Sequence, residues 1–95
     1  MSGLMSITGF PDSPPAKVGV PITDISSGTL VAYGILSAYL HALKTGHGQM
    51  VDTSLLEAGI AYTVWGSAVY FADGEVPGPL GSAHRVSAPY QALCT

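Results

Sequence analysis

The feature that most constrains this chain is a stretch of nineteen residues, 25–43, without a formal charge. Its second part, LVAYGILSAYLHAL (30–43), is apolar nearly all round a helical projection, with small residues set among large ones. A helix that is apolar on most sides is typical of a protein interior. Glycine costs about 1 kcal/mol relative to alanine inside a helix, so we expect Gly34 to permit the close approach of another element. We therefore predict a long buried helix over residues 24–45.

Helix punctuation follows this stretch. Lys44 in the last turn and Gly46 just beyond it predict a C-terminal stop. The sequence SLLE (54–57) is a capping box, in which the Ser54 hydroxyl accepts from the Glu57 N–H and the Glu57 carboxylate reaches back to the Ser54 N–H. A second buried helix is predicted over residues 54–73, ending at Asp73-Gly74.

The segment between the helices alternates in polarity and includes Val51 and Thr53, which predicts a short strand over residues 49–53. Residues 1–23 are an irregular lead-in, and residues 74–95 are a loop and the start of an extended segment. The predicted fold class is therefore α/β and helix-rich, with two long buried helices flanking one short strand. A parallel strand needs neighbours, which we expect from sequence outside this chain or from a second copy.

The composition limits the possible partners. Apolar residues make up 47% of the chain and charged residues 9%, so a lone chain of this size would expose much apolar surface, and we predict self-association. A net charge of −3 with three Lys/Arg argues against nucleic acid. Cys94 is the single cysteine, which excludes an intrachain disulfide and favours a reducing compartment. The N-terminus lacks signal-peptide character, and we expect a cytoplasmic location.

A membrane hairpin is the competing structural hypothesis, because residues 25–43 are nearly long enough to span a bilayer. Polar and small residues dilute this stretch, however, and the second apolar stretch is shorter. We predict a buried helix pair and no membrane span.

Asp24 is the lone acid at the start of the uncharged stretch, followed by Ser26, Ser27 and Gly28. One interpretation is a helix N-cap, in which the carboxylate accepts backbone N–H bonds. The other is a nucleophile or base held at a positive helix end, where glycine admits a ligand. The two differ in whether a carboxylate oxygen remains free.

The three histidines lack metal-like spacing, and no zinc, P-loop or dinucleotide motif is present, so we predict no metal. We interpret His41 and His47 as structural or solvated. His84, in GSAHRVSAPY (81–90), is either a solvated loop residue or a contact for a phosphate or acyl group.

Six motifs occur in an order that closely resembles the class III coenzyme A transferase family, also called CaiB/BaiF or formyl-CoA transferase-like. They are MSGLMSITG (1–9), PPAKVGVPITDISSG (14–28), GILSAYL (34–40), KTGHGQMVDTSLLEA (44–58), GEVPGPLGSAH (74–84) and APYQAL (88–93). The resemblance covers nearly the whole chain. Family members are much longer, so it implies a central slice of their Rossmann-like large domain, with most coenzyme A-binding positions elsewhere.

The resemblance also implies a function. Asp24 matches the family's catalytic aspartate, which carries the acyl group covalently while coenzyme A passes from an acyl-CoA to a carboxylic acid. Gly28 and Leu55 match positions near the active site, and His84 is a further candidate for the vicinity of substrate or coenzyme A. Family members form interlocked dimers, so the implied partners are acyl-CoA, a carboxylic acid and a second copy of the chain.

Two alternatives within this resemblance remain open. One is an acyl-CoA racemase or another CoA-linked member of the family; in the racemase branch the equivalent aspartate is a proton-transfer base, paired with a histidine that would precede Met1. A truncated, self-associating protein without catalytic activity is the other. We expect the isolated 95 residues to be inactive.

Overall fold

Helix α1 (Ile22–Thr45) is the longest element of the structure, a computed structural model that describes residues 2–93. It ends at Gly46, which adopts the left-handed conformation with φ 77° and donates its N–H to the Ala42 carbonyl at 2.8 Å. Glycine takes this conformation without steric cost, which makes it an effective helix stop. The predicted helix and its C-terminal stop are confirmed, but the helix begins earlier than expected.

Helices α2 (Leu55–Ala61) and α3 (Val64–Asp73) replace the single second helix that the sequence predicts. The capping box is confirmed: the Glu57 N–H donates to Ser54 Oγ at 3.1 Å, and the Ser54 N–H donates to Glu57 Oε2 at 2.9 Å. The stop at Gly74 is also confirmed, with φ 80°.

The prediction of a continuous helix fails at Tyr62 and Thr63. Their N–H groups donate to the carbonyls three residues back, on Gly59 at 3.3 Å and on Ile60 at 2.9 Å, which tightens the last turn of α2. The Thr63 hydroxyl also donates to the Ile60 carbonyl at 2.8 Å. Local side-chain bonds of this kind compete with the helical ladder, and here they end α2 and let α3 start in a new direction.

The predicted strand over residues 49–53 is wrong, because the part of the chain that the structure describes is helical or irregular throughout. A strand is defined by a ladder of hydrogen bonds to a neighbour, and residues 2–93 supply no such neighbour. The segment instead lies against α1. A Cβ on Gly34 would lie 2.6 Å from Val51 Cγ1, so the expected close approach at Gly34 is confirmed, with Val51 as the approaching residue.

The expectation of two buried helices and a Rossmann-like α/β slice is also wrong for this structure. The buried helical residues are small ones: Ser26, Ala38, Ala58, Gly59 and Gly66. Large apolar side chains remain exposed, including Leu36 at 65% and Phe71 at 84%. The radius of gyration is 17.6 Å, whereas about 12 Å is typical of a closed domain of this length. The apolar helix faces are exposed because the described residues contain nothing to cover them.

Helix α1 packs against α2, and the lead-in contacts this pair of helices through Ser2, which lies next to Gly59. The lead-in also contacts the C-terminal loop, where the Gly81 N–H donates to the Gly9 carbonyl at 2.8 Å. None of the helices within residues 2–93 combines the length and apolar character needed to cross a bilayer. Cys94, on which the disulfide argument rests, lies outside the described residues.

Candidate functional site

A cleft of about 640 Å³ lies at the N-terminal end of α1. Its walls come from a turn over residues 2–6, from residues 15–21 and from the first turn of α1. The polar turn is closed by the Ser6 N–H, which donates to the Gly3 carbonyl at 3.1 Å. Apolar side chains form much of the surface, namely Leu4, Met5, Val18, Val20 and Ile22. The cleft can therefore take a partly apolar ligand beside the charged groups at its edge.

Asp24 lines this cleft from the first turn of α1 and is exposed. Its interpretation as the helix N-cap is wrong, since Pro21 occupies that position and no side chain caps the helix. The Ile25 N–H donates to the Pro21 carbonyl at 3.1 Å, so the helix is already formed when the chain reaches Asp24. Within residues 2–93, its carboxylate accepts one side-chain hydrogen bond, from Thr23 Oγ1 to Oδ2 at 3.5 Å. Oδ1 is free to approach a ligand.

The position of Asp24 at a helix N-terminus has an electrostatic consequence. The first N–H groups of a helix have no intrahelical acceptor, and the helix dipole places partial positive charge there. A carboxylate in the first turn is stabilised by about 0.3–1 kcal/mol at an exposed site. The helix N-terminus therefore favours the negative charge of Asp24, although the carboxylate makes no capping hydrogen bond.

Contacts with α2 hold the first turn of α1 in place. Ser26 is buried, and its Oγ lies 2.6 Å from the Tyr62 hydroxyl, 36 residues along the chain. Gly59 of α2 is buried against the same turn: a Cβ there would lie 3.3 Å from Thr23 Cγ2 and 2.7 Å from Ser2 Cβ. These contacts with α2 and its C-cap residue therefore fix the first turn of α1, which carries Asp24.

Lys17 is a cleft residue that the sequence analysis did not single out. It lies in a segment rich in proline and glycine, where periodicity gives no information about which side chains share a surface. The sequence did contain one indication that Lys17 belongs with Asp24: they are the only charged residues between Asp12 and Lys44. The cleft therefore presents one ammonium group and one carboxylate.

Gly28 and Leu55 do not line the cleft. Gly28 lies one turn further along α1 and is exposed, and nothing is within 4 Å of the place where its Cβ would be. Leu55 is the first residue of α2 and is 51% exposed.

His84 lies apart from Asp24, in a smaller cleft of about 160 Å³ beside Trp65 and Arg85. Its ring stacks on Tyr90 with centroids 5.0 Å apart, and meets Trp65 edge-on at 6.0 Å. Its Nδ1 accepts the Val86 N–H at 3.2 Å, which places the proton of the neutral ring on Nε2. The nearby Arg85 guanidinium donates to the Gly78 carbonyl. These contacts organise the C-terminal loop.

No cluster of three or more His, Cys, Asp or Glu side chains suited to a metal ion occurs in residues 2–93. At the cleft, the described residues offer a carboxylate, an ammonium group, the hydroxyls of Ser2, Ser6 and Thr23, and backbone N–H groups.

Comparison with known proteins supplies the family. The sequence model of CoA-transferase family III matches residues 1–95. Succinate–glutarate CoA-transferase from Agrobacterium fabrum is 40% identical over 95 residues, which is 100% of this chain and 24% of that protein. Acetyl-CoA:oxalate CoA-transferase from Acetobacter aceti is 35% identical over 91 residues, covering 95% of this chain and 23% of that protein.

A solved structure has the same arrangement of backbone. The crystal structure of a CaiB/BaiF family protein from Brucella suis matches with a TM-score of 0.86 and 36% identity, over 98% of this chain and 25% of that chain. The present chain thus spans about a quarter of the length of the curated relatives it matches.

Proposed function

The chain belongs to CoA-transferase family III, and from this premise we propose that it serves the transfer of coenzyme A from an acyl-CoA to a carboxylic acid. The names of its relatives support this reaction class, since they include CoA-transferases acting between succinate and glutarate and between acetyl-CoA and oxalate. The acyl donor and the acceptor of the present protein are left unspecified in the proposal.

Asp24 is the proposed acyl-carrying residue. The observation that supports this role is its exposed carboxylate in the first turn of α1, at the edge of the cleft and outside any capping bond. A carboxylate is a weak nucleophile in water, so positioning against the thioester must supply much of the rate. The cleft provides such positioning through its apolar walls and the rigid first turn.

The proposed reaction follows the mechanism that the family resemblance implies. An Asp24 carboxylate oxygen attacks the thioester carbonyl, the C–S bond breaks, and a mixed anhydride and a CoA thiolate form. The thiolate then attacks the aspartyl carbonyl, which releases the donor acid as its carboxylate and leaves an aspartyl-CoA thioester. The acceptor carboxylate attacks that thioester, the C–S bond breaks, and a second anhydride and the CoA thiolate form. The returning thiolate takes the new acyl group and regenerates the Asp24 carboxylate.

Lys17 is proposed to stabilise negative charge at the cleft. Every step of the reaction involves anionic oxygen or sulfur, and an ammonium group at the same cleft favours such charges by Coulomb attraction. The N–H groups at the start of α1 also stabilise negative charge. Lys17 lines the same cleft as Asp24, and the N–H groups belong to the helix end that carries Asp24.

The isolated 95 residues are proposed to be inactive. Coenzyme A carries several phosphate charges, whereas the chain has three Lys/Arg, of which Lys17 alone lines the cleft. Lys44 lies in the last turn of α1 and Arg85 is committed to the Gly78 carbonyl. Binding and turnover of acyl-CoA therefore call for the complete protein that contains these residues.

The test is Asp24→Asn in that complete protein, with Asp12→Asn as the matched control. The amide keeps the size and hydrogen-bonding capacity of the side chain but is a very poor nucleophile. We expect kcat to fall about 10³-fold or more in Asp24→Asn. Asp12 is exposed and outside the cleft, so its substitution should leave turnover unchanged. Undiminished transferase turnover in Asp24→Asn would exclude the covalent role.

A further inference from the structure

In the contact between α1 and α2, the residues that support the first turn of α1 differ from Asp24, the residue proposed to react. Successive residues of an α-helix are about 100° apart, so Thr23 and Ser26, three positions apart, share one face. Asp24 and Ser26 are about 200° apart and point to nearly opposite sides of the helix. Thr23 and Ser26 contact α2 or its C-cap residue, while Asp24 is exposed at the cleft.

Tyr62 makes the polar part of this support. The bond between its hydroxyl and Ser26 Oγ is short, 2.6 Å, and partly buried, and Ser26 is 8% exposed. Tyr62 as a whole is 50% exposed, so the desolvation penalty for losing this bond falls on the buried Ser26 hydroxyl, and the bond to Tyr62 holds Ser26 in a defined geometry. Tyr62 also lies at the end of α2, where its N–H closes the last turn on Gly59.

Gly59 makes the steric part. A Cβ at this position would meet Ser2 at 2.7 Å and Thr23 at 3.3 Å. Ser2 and Thr23 both line the Asp24 cleft, so the absence of a side chain at residue 59 lets α2 set the distance between two of the cleft's walls. The hydrogen bond and the close approach act on the same turn of α1.

We infer that Tyr62 is a positioning residue for Asp24: through its hydrogen bond to Ser26, on the face of α1 packed against Gly59, it fixes the first turn and thereby the direction of the carboxylate. This inference rests on the proposed function for its catalytic readout. Tyr62 itself touches no substrate in this assignment. Its removal should lower the rate of the chemical step and leave the affinity for acyl-CoA unchanged.

The experiment is a double-mutant cycle of Ser26→Ala and Tyr62→Phe in the complete protein, with Tyr33→Phe as the control. Tyr33 also lies on α1 but is 64% exposed. One hydrogen bond corresponds to a loss of roughly 3- to 10-fold in kcat. We expect each single variant to lose that much, with KM for acyl-CoA within about 2-fold of the parent protein, and the double variant to lose no more than either single. Tyr33→Phe should retain full activity.

The inference would be overturned by unchanged kcat in Tyr62→Phe, by a rise in KM at constant kcat, or by losses that multiply in the double variant. Thermal unfolding of each variant, compared with that of Tyr33→Phe, shows whether a loss of kcat is caused by unfolding. A kcat loss that is absent at temperatures below the unfolding transition also overturns the inference. Adding Tyr62→Phe to Asp24→Asn should cause no further loss. Full activity of Asp24→Asn alone would instead contradict the proposed function, so the two failures are distinguishable.

Discussion

The two halves of α1 lie in different surroundings. In the first turn, Ser26 is buried and hydrogen-bonded to Tyr62, and Thr23 lies against Gly59. In the second half Ala38 is buried, but large apolar residues are open to solvent, with Leu36 65% and Leu43 66% exposed. The same helix is therefore fixed where it carries the candidate nucleophile and uncovered where it is most apolar. Internal packing organises the candidate site, whereas residues 2–93 leave the remaining apolar surface uncovered.

The largest expected effect concerns the uncovered half. Leu36, Leu40 and Leu43 follow one another at helical spacing and share a face, and burying each would contribute about 1.5–3 kcal/mol. We predict that the 95-residue chain self-associates at micromolar concentration. Sedimentation velocity should show species larger than a monomer, and Leu36→Glu combined with Leu43→Glu should shift them towards the monomer.

Val76→Glu is the control for that experiment, because Val76 is 77% exposed but lies in the loop after α3. It should leave the sedimentation pattern unchanged. A stable monomer of the parent chain over the same concentration range would show that the apolar half of α1 can remain exposed to solvent. The predicted self-association, and with it the contrast between the two halves of α1, would then be contradicted.

The next effect compares two close approaches to glycine. Gly59→Ala should destabilise the fold by about 1–3 kcal/mol, since its Cβ would overlap Ser2 and press on Thr23, and both shape the cleft. Gly34→Ala should cost less, because its Cβ would meet Val51 alone, which lies in an irregular segment, whereas the Cβ of Gly59→Ala would meet two residues, one of them on α1. The gain in helix propensity, about 1 kcal/mol, is common to both variants. Denaturant unfolding at fixed protein concentration measures both.

Gly48→Ala is the control for both glycine variants, because nothing lies within 4 Å of a Cβ at that position. If Gly34→Ala proves as destabilising as Gly59→Ala, then the middle of α1 is packed as tightly as its first turn, and the comparison fails.

The smallest effect sharpens the account of α2, the helix that supports the first turn. Ser54→Ala removes both the acceptor for the Glu57 N–H and a hydroxyl that donates to Glu57 Oε2 at 3.0 Å. We expect a loss of about 1 kcal/mol in the free energy of unfolding. Ser37→Ala, on the exposed face of α1, should be neutral or slightly stabilising by propensity. Equal unfolding free energies for the two variants would mean that the capping box does not stabilise α2.

Three helix ends, the C-terminal ends of α1 and α3 and the N-terminal end of α2, were predictable from the sequence because they depend on neighbouring residues. Gly46 and Gly74 stop helices through their own backbone freedom, and Ser54 with Glu57 forms a cap within four residues. The approach at Gly34 was predictable for the same local reason. The identity of its partner, Val51, was not, because nothing in the pattern specifies which segment folds back on α1.

Features that depend on distant residues were predicted wrongly or missed. The alternating segment at residues 49–53 resembles a strand, but a strand also needs a neighbour to pair with. The cap interpretation of Asp24 is wrong, because Pro21, three residues earlier, occupies the N-cap position and α1 begins at Ile22. The bond between Ser26 and Tyr62 spans 36 residues, and Lys17 reaches the cleft from an irregular segment, so neither has a periodic signal.

Hydroxylamine trapping tests the central claim, that Asp24 carries the acyl group, most directly. The complete protein is mixed with acyl-CoA and then with hydroxylamine, which converts an aspartyl thioester or anhydride to a hydroxamate, and the modified peptide is mapped by mass spectrometry. The account predicts a hydroxamate on Asp24 that requires acyl-CoA, persists in Asp12→Asn and is absent from Asp24→Asn. A hydroxamate on a different carboxylate, or turnover without any adduct at Asp24, would contradict it.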